Sequence, residues 1–324
     1  MSRPTPTDAR APLSRGSLAL VLAGAALAAA MAGAAPAKAD PVTTALDAAP
    51  ARAALAKEPK VRKPLTDQAV SDIERAIDEK RYIDASAMID MAVIGGSKDP
   101  RLDLLAAKVD LGRGRYDQAL EEFRKAQAAP QTRGAAMEGE GLAMALNGHE
   151  GAAVPLLKKT VTDYPNAWRA WNALGGAFDD QGQWAEADDA YAHALAASDA
   201  PAIVINNRGY SYLLRNRLDE ATADFVEALR QRPDLEAART NLRLALAMKG
   251  EYGRATAGAQ KGAEAALLNN AGFAALVRGD YGQAETLLQQ AMARKGAYYD
   301  LAAANLELVR ESKARQAAES HDPK

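Results

Sequence analysis

Six alanines recur at one constant step along this chain: Ala85, Ala119, Ala153, Ala187, Ala221 and Ala255. A second series keeps the same step, with Ile89, Phe123, Leu157, Tyr191, Phe225 and Ala259. Two series locked in one register restrict the chain to an array of equal units, none of which can bury a core alone. The step, about 34 residues, is the period of a helix–turn–helix pair.

The residue types give the period a mechanism. Gly141, Gly175, Gly209 and Gly272 each precede one of Ala153, Ala187, Ala221 and Ala284 by the same interval. A glycine on the first helix facing an alanine on the second lets the two axes come close. Gly114, Gly148, Gly182, Asn216, Gly250 and Gly279 mark the turns between them, because such residues accept the left-handed conformation at a helix end. Tyr116, Trp184, Leu218, Tyr252 and Tyr281 follow the turns and staple the second helix inward. Pro165 and Pro233 stop it before the next unit.

The clearest copies run over residues 168–201, with Trp171, Leu174, Gly175, Phe178, Gly182, Ala187, Tyr191 and Ala194, and over residues 202–235, with Gly209, Tyr212, Ala221, Phe225, Ala228 and Pro233. On these residues the chain resembles the tetratricopeptide family, roughly from Thr66 to Arg315. That resemblance implies an all-α fold, a right-handed superhelix (α-solenoid) of about seven helix–turn–helix repeats plus a C-terminal capping helix. The capping helix is expected over residues 298–316, with Leu301, Leu306 and Val309 turned inward.

Two copies depart from the pattern. The unit beginning near Glu236 has Arg243 where glycine is expected, and its second helix carries Gly253, Gly258 and Gly262. The step from Arg243 to Gly272 falls short of the full period, so that second helix is expected to be short or irregular. The first unit has Ile73 at the glycine position, as suits a terminal repeat with a different outer face.

Composition agrees with close-packed helices. Hydrophobic residues make up 48% of the chain but aromatics only 5%, and alanine, the best helix former, dominates. The net charge of −2 gives no reason to expect a nucleic-acid partner. Cysteine is absent, which excludes disulfides, thiolate ligands, cysteine nucleophiles and N-terminal lipidation of a cysteine. His149 in a turn, His193 on a second helix and His321 in the tail have no partner at metal-ligand spacing. No strand precedes a glycine cluster, so no phosphate loop is expected. The chain reads as a non-enzyme without a cofactor.

The first 39 residues read as a signal peptide. Arg3, Arg10 and Arg15 precede an apolar run from Leu18 to Ala35, and Ala37-Lys38-Ala39 leads to a cleavage point before Asp40. The alternative is an uncleaved membrane tether through residues 17–35, a stretch just long enough to span a bilayer. Residues 40–65 hold Pro41, Pro50, Pro59 and Pro64 and read as a disordered linker; residues 66–316 form the solenoid, and 317–324 a disordered tail. The expected location is the periplasm.

A binding site is expected on the stacked first helices, which line the concave face of such arrays. Asn207, Asn241 and Asn270 share one first-helix position, and Asn172, Asn206 and Asn269 share another. A carboxamide both donates and accepts, so a ladder of them can hold an extended backbone without reading its side chains. The alternative is that they bond to neighbouring helix ends or to water. Tyr210 and Phe273, three residues after Asn207 and Asn270, either clamp an apolar side chain of the partner or fill the core. Asp179 and Asp180, late in their first helix, either add an acidic lip to that face or form a solvated charge pair, the reading preferred here.

A finer resemblance bears on function. Val204-Ile205-Asn206-Asn207-Arg208-Gly209-Tyr210-Ser211-Tyr212-Leu213-Leu214, the stretch from Asn269 to Tyr281, and the ending Tyr298-Tyr299 through Asn305-Leu306 resemble the TadD-type proteins of Flp (tight-adherence) pilus assembly. The resemblance implies a scaffold that assists assembly of the pilus secretion machine, with a secretin or another assembly component as partner. Members of that family are often lipoproteins, and this chain has no cysteine to acylate. The competing reading is a general periplasmic scaffold for polysaccharide export or cell-wall enzymes.

Overall fold

The computed structural model describes residues 65–259, 262–294 and 299–320. The signal, the tether and nearly all of the linker fall outside the described residues. Among the described residues the chain is entirely helical, with fifteen helices and no strand. They form seven pairs and a closing helix: α1 Asp67–Asp78 with α2 Tyr82–Ile94, α3 Arg101–Gly112 with α4 Tyr116–Ala126, α5 Pro130–Leu146 with α6 Glu150–Asp163, α7 Trp168–Asp180 with α8 Trp184–Ala197, α9 Pro201–Leu214 with α10 Leu218–Gln231, α11 Glu236–Met248 with α12 Tyr252–Thr256, α13 Glu264–Val277 with α14 Tyr281–Ala293, and finally α15 Tyr299–Ser320. This is the all-α repeat solenoid that the period implies.

The described chain divides into two compact units, residues 65–207 and 208–320, with the boundary inside α9. In the first, three clusters follow one another along the stack, centred on Ile73 and Leu105, on Phe123, and on Leu174 with Tyr191. Leu65, the last residue of the expected linker, is buried in the first of them. Thr66 then caps α1 through its hydroxyl, which accepts from Ala69 N at 3.2 Å. The second unit has one core running from Leu213 through Phe225, Met248 and Leu288 to Val309.

The alanine series is the floor of these cores: Ala85, Ala119, Ala153, Ala187, Ala221 and Ala255 are all buried. The glycines, however, do not face the alanines. A Cβ placed on Gly175 would lie 2.7 Å from the Tyr191 ring, one on Gly209 2.8 Å from Phe225, and one on Gly272 2.7 Å from Leu288. Gly141 stands in the same relation to Leu157. The bulky residue one turn beyond each alanine therefore takes the room. Helical side chains lean toward their own N-terminus, so that residue reaches back over the glycine. The same device joins consecutive pairs where Phe123 of α4 lies over Gly139 of α5.

The six expected turn residues all have positive φ, from 57° at Asn216 to 85° at Gly250. Gly182 shows why. Its N–H reaches Asp179 O at 2.9 Å and the next N–H, of Gln183, reaches Phe178 O at 2.8 Å, which satisfies the last carbonyls of α7. Lys80 takes the same conformation in the first turn (φ 59°), where no glycine or asparagine announces it.

The irregular sixth pair follows its sequence. Helix α12 stops after five residues. Arg243 Nη2 donates to Ala257 O at 3.2 Å and to Gly258 O at 3.3 Å, beyond the helix end. Ala259, the last member of the bulky series, stands outside any helix. At the C-terminus, α15 continues to Ser320, past the expected break at residue 317, because Ala317, Ala318 and Glu319 are good helix formers.

Candidate functional site

The asparagines are drawn together within each unit, and more tightly than a ligand-facing ladder requires. In the first unit Asn206 Nδ2 donates to Asn207 Oδ1 at 3.0 Å, and Asn207 Nδ2 donates to Asn172 Oδ1 at 3.0 Å. One chain of carboxamides thus ties α9 to α7. In the second unit Asn305 Nδ2 donates to Asn269 Oδ1 at 2.9 Å, and Asn269 Nδ2 donates to Asn270 Oδ1 at 3.3 Å, which ties α15 to α13. Asn305 was not among the expected site residues, although it lies 36 residues after its partner Asn269, close to one period.

Burial separates the two asparagine positions. Asn206 and Asn269 are 6% and 2% exposed, so they serve the packing of the stack and leave the set of ligand-facing residues. Asn172, Asn207, Asn241 and Asn270 are only half-buried. The expected alternative, bonding to helix ends or water, is replaced by bonding between asparagines of neighbouring pairs. Among the described residues, Asn172 and Asn270 contribute only their oxygens to these chains, which leaves both NH₂ groups able to donate to a ligand.

Tyr210 and Phe273 are half-buried and pack against the core of the second unit. They fill the core with one edge and leave the other accessible. Asp179 is not a solvated charge: it is buried and accepts the Tyr191 hydroxyl at 2.9 Å, while Asp180 is exposed. The reason is the glycine beside it, since Gly175 admits the Tyr191 ring and the hydroxyl then needs a buried acceptor.

A small cavity of about 30 Å³ opens in the second unit where α12 is cut short. Leu244, Ala255 and Leu267 form its apolar wall, and Thr240, Arg243 and Asn270 supply the polar groups. Burial, and then the neighbouring Arg239, hold the Arg243 guanidinium below its ordinary pKa, while Glu236 opposes the shift.

His193 stacks on Trp171 with ring centroids 4.4 Å apart, and Trp171 Nε1 donates to Pro165 O at 2.9 Å. His149 sits at the start of α6, and His321 lies outside the described residues. Among the described residues no three side chains are grouped to hold a metal ion, and no helix is long and apolar enough to cross a membrane.

No family model matches the sequence, and no curated protein is similar to it. Solved structures are similar in fold. The chain shares a TM-score of 0.58 and 15% identity with the structure titled as the APC/C hetero-tetramer Cut9-Hcn1, over 73% of this chain and 48% of that one. The chain thus spans about half the length of that relative. PilF of Pseudomonas aeruginosa (TM-score 0.48, 19% identity, 63% of this chain and 96% of that one) and PilW, described as a type IV pilus biogenesis factor (0.47, 17%, 72% and 96%), are also similar. At these identities the likeness establishes the tetratricopeptide-type fold. Repeat proteins of this fold are generally non-catalytic scaffolds that bind protein or peptide partners.

Proposed function

We propose that the chain is a non-catalytic scaffold of the bacterial periplasm that holds a partner polypeptide along its first helices. The single observation behind this reading is the recurrence of half-exposed asparagines at one first-helix position, Asn207 in one unit and Asn241 and Asn270 in the other, with Asn172 one position earlier in its own helix. Side chains that can both donate and accept suit an extended main chain, which itself presents both kinds of group. Tyr210 and Phe273 stand one helical turn further on and offer apolar surface for a side chain of the partner.

The finer reading is that the partner belongs to a Flp-type pilus secretion machine, as a secretin or another assembly component. The TadD-like stretches around Asn206 and Asn269 support it, and the signal-like N-terminus supports export. Deletion of the gene tests the assignment. Loss of surface pili with a normal wall and capsule is expected; normal pili with an altered wall or capsule would move the scaffold to polysaccharide export or wall synthesis. N-terminal sequencing of the mature protein is expected to begin at Asp40, and an intact Met1 in the membrane fraction would convert the signal into a tether.

A further inference from the structure

One face of the first pair is not used by the stack. On α2, Ile83, Ala87, Met91 and Ile94 recur at helical spacing and all are exposed, Ile83 at 77% and Met91 at 65%. The repeat itself shows this to be a departure. One period later, on α4, the places of Ile83, Ala87 and Met91 are held by Asp117, Glu121 and Lys125. On α10 Asp219 and Glu227 stand in the places of Ile83 and Met91. The outer face of a second helix is polar where it meets water, so an apolar stripe there calls for a cover.

Three observations identify the cover. The first is where the chain enters. Leu65 is buried in one cluster with Ile89 of α2, with Ala92 packed against it, and Arg101 Nη2 donates to the Leu65 carbonyl at 3.1 Å. The short turn at Lys80 makes α1 and α2 antiparallel, so this entry is held beside the end of α2 that carries Met91 and Ile94. The second is charge. Residues 67–94 carry seven acids against three bases, and helical spacing sets Asp84 and Asp90 along the two edges of the stripe. Residues 52–63 carry Arg52, Lys57, Lys60, Arg62 and Lys63 against a single acid, Glu58, and hold Leu55 and Val61 as apolar anchors. A second copy would instead bring the same acids against one another, and an anionic membrane would meet them too. The third is size. The stripe lies on a helix about 20 Å long and about 10 Å wide. A stable pair of separate molecules needs roughly 800 Å² per partner, which this face does not supply. A segment joined to the same chain needs far less, because its effective concentration is on the order of millimolar. Residues 52–63 reach the length of α2 in either regular form, about 18 Å as a helix and more when extended.

We propose that residues 52–63 fold back along the exposed face of α2 as an intramolecular strap, with Leu55 and Val61 on the apolar stripe and the bases beside Asp84 and Asp90. The segment belongs to the chain whether the signal is cleaved or kept, and the proposal stands apart from the partner of the asparagine face. Docked, the strap closes the apolar face to other molecules and confines the free part of the expected linker to residues 40–51.

Trypsin tests the strap on the full chain, because Arg52, Lys57, Lys60 and Arg62 are all cleavage points inside it. Mass spectrometry follows cutting at those points, with a synthetic peptide of residues 50–66 as the free reference. The chain is expected to be cut on the order of tenfold more slowly than the peptide, since cleavage follows the undocked population. Met91→Lys gives α2 the residue type that α4 carries at Lys125; it should keep the urea midpoint and raise the rate to near that of the peptide. Ile83→Lys should act alike, and Gln118→Lys on the exposed face of α4 should leave the rate unchanged. Added salt should speed cutting of the parent relative to the peptide, by screening the opposite charges. Cutting of the parent as fast as the peptide, or an unchanged rate in folded Met91→Lys and Ile83→Lys proteins, would overturn the strap. Protection that rises with protein concentration would overturn it in favour of a second copy, and protection that needs anionic vesicles would overturn it in favour of a membrane surface.

Discussion

Gly175 and Gly176 are adjacent on α7, and the packing makes opposite demands of them. A Cβ at Gly175 would lie 2.7 Å from the Tyr191 ring, and one at Gly176 meets nothing within 4 Å. Gly176→Ala should simply recover helix propensity, about 1 kcal/mol of added stability. Gly175→Ala gains the same propensity but must displace a ring that is 2% exposed and hydrogen-bonded to Asp179. Overpacking costs about 1–3 kcal/mol, and loosening a buried hydrogen bond to a carboxylate about 1–3 kcal/mol more, against the gain of about 1. The net is a loss of about 1–5 kcal/mol, so the two variants should differ by roughly 2–6 kcal/mol, in opposite directions from the parent. The molecule carries its own local reporter. Its three tryptophans, Trp168, Trp171 and Trp184, all lie on α7 and α8. Urea unfolding followed by tryptophan emission should show the midpoint of Gly175→Ala lowered by about 1 M or more and that of Gly176→Ala raised by a few tenths. Restoring space with Tyr191→Leu should lessen the effect of Gly175→Ala in a double-mutant cycle. Equal, same-sign effects at the two glycines would refute the claim that glycine here makes room for the residue beyond the alanine.

Other substitutions separate structural polar groups from exposed ones. Asn305→Ala leaves the 2%-exposed Asn269 short of a partner and should cost about 1–3 kcal/mol, with faster hydrogen exchange concentrated in α15, whereas Gln290→Ala on the exposed face of α14 should stay within about 0.5 kcal/mol of the parent. Asp224→Asn removes the two-pronged bond from Arg208 (2.8 and 2.9 Å); with the guanidinium 30% exposed, the loss should be about 1–2 kcal/mol, less than for a fully buried pair. Glu138 accepts from the N–H groups of Arg169 and Ala170 at the start of α7, yet burial, only partly opposed by the Arg169 charge, raises its pKa above the ordinary 4.5. The folded form then holds its proton more firmly than the unfolded form, so stability should fall as pH rises from about 4.5 through the raised value. Glu138→Gln should lack that slope, and identical pH profiles of the urea midpoint would contradict the assignment.

The fold was legible wherever the period carried it. The alanine floor, six left-handed turns, the shortened α12 and the closing helix all follow from residue types at fixed spacing. The identity of the residue opposite each glycine did not follow, because it depends on how side chains lean along a helix and not on spacing alone. For the same reason Asp179 read as an exposed charge: nothing in its local sequence shows that Tyr191, 12 residues later, returns its hydroxyl to it. The asparagines were legible as a set but not as partners of one another. Which of them faces solvent is decided by the approach of neighbouring pairs, and that approach buries Asn206 and Asn269 while leaving Asn207 and Asn270 half-exposed. The cavity was least legible, since it arises from helical turns that are missing and not from a motif that is present.

The central claim is that the first helices hold a partner, and site-specific photocrosslinking in living cells tests it most directly. A photoreactive residue would replace Asn207 or Asn241 on the first helices, or the half-exposed Glu227 on the second helix α10, and adducts would be identified by mass spectrometry. The account predicts discrete adducts from Asn207 and Asn241, with a component of the pilus secretion machine among them, and none from Glu227. Adducts from Glu227 alone, or the same background from all three positions, would contradict it.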